Sequence, residues 1–363
     1  MDTNYFRADS RIQSRSDRRY IHVNRCRLVV LLIISLFAAP VMAQQDGAPE
    51  LTVEATRVID KGLEYLLSNQ QKDGSWSLDG KGTYAVASTS LSLMAFMSKA
   101  HFPGFGPYGE QMDRGMKWLL KEAKKSPDGY IGTVMYEHGF ATLALSEMWG
   151  MTRDSDDDDA IKEALEKAVE VILRAQSAAG GWRYQPSPSA GQDASVTMTV
   201  FHALASARQA GIVVPNQTIT KMLKYMKTLR SSQTGGITYD GRPKKLSTAC
   251  TAGGIYVTQL GGQRDSEMVN SALRYLIGLA PGVFDEGTPY YYYSHYYAIQ
   301  AMVQAGDDKY AKWYPKIRDA LISQQTTKGA WGPVAKPGSI SYKTPMAIII
   351  LSTPHRYIPI YQR

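Results

Sequence analysis

The stretch QQKDGSW, residues 70–76, ends an amphipathic run with two amides, an Asp-Gly turn and a large aromatic, and the chain returns to that ending again and again. DGSW closes at Trp76, DGYI at Ile131, AGGW at Trp182, TGGI at Ile237, PGVF at Phe284 and KGAW at Trp331. These anchors are 55, 51, 55, 47 and 47 residues apart, with a glycine two places before each: Gly74, Gly129, Gly180, Gly235, Gly282 and Gly329. A period near fifty residues is the mark of a repeat architecture and takes precedence over any local reading.

Upstream of each turn, apolar residues recur at i, i+4, i+7 and usually i+8, as in Ile59, Leu63, Leu66 and Leu67 or Val269, Leu273, Leu276 and Ile277. That stripe predicts an amphipathic helix with one face in water. Downstream of each turn lies a run of small and apolar residues, such as ASTSLSLMAFM, ASVTMTVFHALASA and TPMAIIIL. A helix apolar almost all round must be buried. Six hairpins of one outer and one inner helix predict an all-α fold, an α/α toroid of two concentric rings; an open solenoid of the same hairpins is the alternative.

The first 43 residues are of another kind. Seven arginines precede the apolar run LVVLLIISLFAA (28–39) and VMA (41–43), the order of an export signal. The run is shorter than the ~20 residues of a membrane span. The expectation is therefore a signal peptide over 1–43, cut after Ala43, with an uncleaved anchor as the alternative, and one toroid domain over 44–363 in the periplasm or envelope of a bacterium. Without the signal the formal charge falls from +8 to +4, too modest an excess to point to nucleic acid. Cys26 leaves with the signal, so Cys250 stands alone and no internal disulfide is expected.

The Gln, Gly and Trp spacing of QQKDGSW, its weaker copies QSAAGGW (176–182) and QQTTKGAW (324–331), and the paired helices resemble the prenyltransferase and squalene oxidase repeat family. That family includes squalene–hopene cyclases and protein prenyltransferase β subunits. The resemblance covers roughly residues 50–355 and implies the toroid. The physical reading of the heptad is a staple: glycine for the reversal, tryptophan for packing, and glutamine for bonds to backbone ends.

Chemistry is expected where the inner helices begin, at one mouth of the ring. Asp193 in GQDASV stands just before the third inner helix, with Ser195 as a competing cap. The resemblance implies an Asp-rich acid motif near this place, of which one Asp remains; as a buried acid Asp193 would protonate an alkene. DSDDDD (154–159) spells that pattern more fully but precedes an outer helix, where acids complement the helix N-terminus. Glu137 and His138 open the second inner helix, and His295 opens the fifth; these three are candidate acid–base groups. In PYYYYSHYY (289–297), Tyr292, Tyr293, Tyr296 and Tyr297 are expected either to line a cavity and hold an apolar chain or a developing cation, or to pack between helices with their hydroxyls bonded at the rim. His202 reads as a satisfied core histidine. The zinc site that a prenyltransferase would imply lacks its Asp before Cys250, so no metal and no cofactor are expected.

The sequence thus predicts an exported toroid with a hydrophobic cavity, binding an isoprenoid-like small molecule or an envelope protein without catalysis; the apolar loop HFPGFGPYG (101–109) reads as a cover over helix ends, with peripheral membrane contact as the alternative. The alternative is a terpene cyclase-like enzyme with Asp193 as its acid.

Overall fold

The computed structural model describes residues 49–77, 84–242, 245–332 and 342–362. The expected signal and its cleavage point lie outside the described residues. Twelve α-helices are present among them: α1 Val53–Ser68, α2 Ala85–Met97, α3 Gly109–Ala123, α4 Met135–Met148, α5 Ser155–Ala175, α6 Ala194–Gln209, α7 Asn216–Leu229, α8 Thr248–Leu260, α9 Glu267–Gly278, α10 Tyr291–Ala305, α11 Asp307–Gln324 and α12 Lys343–Leu351. None of them is long and apolar enough to cross a membrane.

The even-numbered helices form the inner ring. Each packs on the next, and α12 returns to α2. The ring is closed, so the fold is an α/α toroid and not an open solenoid. The odd-numbered helices lie outside with one polar face, as their striped sequences require. Asp154 in DSDDDD caps α5, its side chain accepting from the Asp156 N–H.

The staple has a defined geometry. Gln70 Nε2 donates to Gly74 O at 2.9 Å and to Gln111 O of the next outer helix at 2.8 Å. Gln176 does the same to Gly180 O and Thr218 O. Gln325 joins Gly329 O to Val58 O of α1, so the third copy is the seam that closes the circle. Trp76, Trp182 and Trp331 are fully buried, and each Nε1–H donates at 2.8 Å to a carbonyl of its own outer helix, Leu66, Ile172 and Leu321. Glycine is required twice over at Gly329. Its φ is +89°, and a Cβ there would lie 2.4 Å from Lys61 O. The fifth repeat departs from the pattern: Gly282 lies in a 3-10 turn without positive φ, and Phe284 is only half-buried, its ring 4.9 Å from that of Trp313.

The centre of the ring is filled. Thr199 of α6 reaches past α8 to Tyr293 and Tyr297 of α10, its Oγ1 lying 2.9 and 3.2 Å from their hydroxyls. His202, one turn further along α6, touches the rings of Tyr256, Tyr296, Tyr297 and Tyr361 at 5.0–6.2 Å. Apart from the half-buried Tyr293, these side chains are essentially unexposed. At the end where the inner helices finish, the C-terminal segment enters the ring. The Tyr361 hydroxyl lies 2.7 Å from that of Tyr296, Tyr256 OH donates to Ile360 O at 3.1 Å, and Gln304 Nε2 donates to Gln362 O at 2.8 Å. Beside it Glu147 Oε1 accepts from Ser206 Oγ, with Oε2 unpartnered and the Ile360 N–H near enough to favour the charged form without completing a hydrogen bond. The expected apolar cavity is therefore a polar and aromatic core, because the inward faces of α6 and α10 carry hydroxyl, imidazole, phenol and amide groups.

Candidate functional site

The opposite mouth, where the inner helices begin, gathers the polar groups of interest around Asp193. The residue is extended, φ −145° and ψ 162°, and caps α6. Its N–H donates to Trp182 O at 3.0 Å, and the next N–H, of Ala194, donates to Tyr239 O at 2.9 Å, so the staple of the third repeat fixes where the carboxyl sits. Oδ1 accepts from Val196 N at 2.9 Å and from Ser195 Oγ at 2.7 Å. Oδ2 is buried without a hydrogen-bond partner. The Tyr239 hydroxyl is close enough to favour the charged form slightly, without completing a hydrogen bond. Burial dominates and raises the carboxyl above the usual Asp range, so Asp193 holds its proton more tightly than a surface carboxylate.

Tyrosines surround this carboxyl. Tyr184 and Tyr239, on the loops either side of the α6 N-terminus, meet hydroxyl to hydroxyl at 2.9 Å. The Tyr136 ring of α4 is 6.0 Å from that of Tyr184, and its hydroxyl faces Ser195. Tyr293 OH donates to Ser195 O at 3.2 Å. Further round the rim, α2, α10 and α12 all begin on a tyrosine: Tyr84, Tyr290 and Tyr342. Tyr84 and Tyr290 both hold φ +56° while 53% and 69% exposed, a left-handed conformation that bulky residues rarely adopt.

The sequence-predicted groups divide in two. Asp193, Ser195, Tyr293 and Tyr297 come together, with Tyr296 deeper along the same helix face. Tyr292 turns to the rim, its hydroxyl donating to Glu286 Oε1 at 3.2 Å under the Lys343 ammonium, 5.6 Å from the ring. Glu137, His138 and His295 stand apart from this cluster. Glu137 Oε2 accepts from the Thr133 N–H and hydroxyl, both at 2.8 Å, and Oε1 from Val86 N at 3.3 Å. His138 Nδ1 accepts from Ile131 N at 3.0 Å while Nε2 donates to Ala168 O at 3.0 Å. His295 Nε2 donates to Val283 O at 3.0 Å. Burial lowers both histidines to about 4, so they are neutral; His138 is a strut bonded at both nitrogens, whereas His295 Nδ1 is buried without a partner.

Several residues escaped the sequence reading. His202 is no satisfied core histidine: Nδ1 has no partner, Nε2 is 3.5 Å from Tyr256 OH, and burial lowers the ring to about 3. Its signal was present as the stripe Ser195, Thr199, His202 and Ser206, spaced i, i+4, i+7 and i+11 along α6. Tyr136, Tyr184, Tyr239 and Tyr361 carried no pattern of their own. Cys250 is buried core, its thiol raised to about 11 by burial, and the described residues contain no metal-holding cluster of His, Cys, Asp and Glu.

The sequence matches no family model and no curated protein. Solved structures do resemble the fold. The α-1,6-mannanase GH76A of a Salegentibacter species, solved as an inactive variant with α-1,6-mannotriose, has a TM-score of 0.61 at 14% identity, covering 83% of this chain and 99% of the mannanase. Cellobiose 2-epimerase from Bacillus thermoamylovorans gives 0.60 at 12% identity, over 83% and 99% of the two chains. The type II terpene cyclase MstE from Scytonema, solved with its product merosterolic acid A, gives 0.55 at 14% identity, over 85% and 98%. At these identities the likeness establishes an α/α toroid.

Proposed function

We propose that the chain is an exported, non-catalytic binding toroid of the bacterial envelope, whose ligand docks at the tyrosine-rimmed mouth around Asp193. The observation that carries this reading is the filled ring. A long isoprenoid needs a cavity of the ~300–1,000 Å³ typical of ligand sites, and the centre of this toroid is occupied by Tyr256, Tyr296, Tyr297, His202 and Tyr361. The mouth instead offers aromatic faces and phenolic hydroxyls above a buried carboxyl oxygen without a partner. Such a surface suits a compact, hydroxylated ring, a saccharide being the simplest, which stacks on the tyrosines and gives a hydroxyl to Asp193 Oδ2.

A cyclase-like reading has one observation in its favour, the raised carboxyl of Asp193 with a free oxygen, which is the form a proton donor takes. Fold likeness adds nothing to the choice. Native mass spectrometry of the chain purified from its own envelope, followed by identification of the bound compound, separates the two. A saccharide-bearing ligand supports binding at the mouth. An isoprenoid that the wild-type chain cyclises and the Asp193→Asn variant does not would establish the enzyme instead.

A further inference from the structure

At the other end of the toroid, where α6 and α8 finish, the described residues enclose a recess of about 350 Å³. Its floor is Phe201 and Leu204 of α6, and Val214, Ile219, Leu260 and Ile360 form its walls. The volume lies at the lower end of the ~300–1,000 Å³ of small-molecule sites, and the lining is apolar as in such sites. Its C-terminal wall is fixed in place: Ile360 O accepts from Tyr256 OH at 3.1 Å, and Gln209 Nε2 donates to Pro359 O at 3.3 Å. The recess is therefore preformed.

One charge stands at the rim. Arg208, the last basic residue of α6, is exposed there, and no acidic side chain lines the recess. Among the described residues Arg208 makes no salt bridge, whereas Arg57, Arg174 and Arg274 each pair with a carboxylate. Its position in the last turn of α6 complements the helix C-terminus, and this is compatible with a second role for the guanidinium fork, which matches a carboxylate.

We propose that this recess is a binding site for a medium-chain carboxylate: the acyl chain lies on Phe201 and Leu204 between Ile219 and Ile360, and the head group pairs with Arg208. The site is separate from the mouth around Asp193 and does not depend on what binds there. It also gives an apolar ligand a place outside the filled ring. The Arg208 end is exposed, so charge gives the site a preference rather than most of its affinity, and salt weakens that preference.

Calorimetric titration of the full chain with decanoate and with 1-decanol, in low-salt buffer, tests the proposal. The expected result is saturable one-to-one binding of decanoate, about fivefold tighter than decanol, since exposed ion pairs are worth up to roughly that factor. Arg208→Gln, a change at the surface, should bring decanoate to the level of decanol. Leu260→Trp, or Val214→Trp if the first variant is unstable, fills the recess and should abolish binding of both. Absence of saturable binding, equal affinity of the wild-type chain for the two probes, or binding that survives the filled recess would each overturn it.

Discussion

At Asp193 one carboxyl oxygen caps α6 and the other is buried without a partner, so a single side chain serves the fold and keeps an unused acceptor beneath the mouth. Glu147 shows the same economy at the far end, with a measurable consequence. Burial raises it to about 7, and no cation offsets this: the facing groups are Ser206 Oγ, the Ile360 N–H, and the phenols of Tyr256, Tyr296 and Tyr361. Below its ordinary value near 4.5 the group is neutral in both folded and unfolded chains and costs nothing. As pH rises from there towards 7 the unfolded chain ionises first, and this group's own contribution to stability falls by ~1.4 kcal/mol per pH unit, about 3 kcal/mol in all, against the rise that the depressed His138, His202 and His295 contribute over the same range. Glu147→Gln should remove that slope. Urea unfolding midpoints from pH 4 to pH 8 would show it, and a variant with the wild-type slope would place the titration elsewhere.

At the scale of the hairpin, five of the six repeats join the anchor N–H of the turn to the inner helix through one polar side chain, while in the fifth the Phe284 N–H donates to Pro281 O. The anchor N–H donates to a threonine hydroxyl in four repeats, Thr89, Thr197, Thr251 and Thr344, at 2.9–3.1 Å. In the second repeat His138 takes that place. The helices, their order and the glutamine staple were legible because they are periodic, and periodicity survives in a bare sequence. The role of His138 was not. Its anchor stands seven residues before it, against 13 and 15 in the first and third repeats, so the substitution of imidazole for hydroxyl has no fixed spacing to reveal it. A histidine at an inner-helix start consequently looked like an acid–base group. His138→Ala leaves the Ile131 N–H buried and unpaired and opens a cavity where the imidazole stood, and should cost about 2–4 kcal/mol. Chemical denaturation checks this, and the variant's ligand occupancy at the mouth should not change while it remains folded.

For the whole molecule, the sequence pattern called for six hairpins and left open whether they close. Closure rests on contacts far apart in the chain, Gln325 to Val58 and α12 to α2, and no local signal encodes these. The content of the ring was equally hidden. Inner helices rich in small apolar residues suggested an apolar cavity, whereas a minority of polar positions on their inward faces, together with the C-terminal residues 357–362, decide what fills it. That segment belongs to no repeat, and only the fold shows that Tyr361 sits among Tyr256, Tyr296 and His202. Filling the ring is what turns the account from catalysis inside the toroid to binding at its mouth. Amide hydrogen exchange over residues 357–362, compared with the inner helices, tests this most directly. If the segment is part of the packed core, the Ile360 amide exchanges only through large-scale unfolding, as slowly as the central turns of α6 and α10. Exchange within seconds in an otherwise protected chain would mean that the ring stands open, and would return the search for the ligand to its interior.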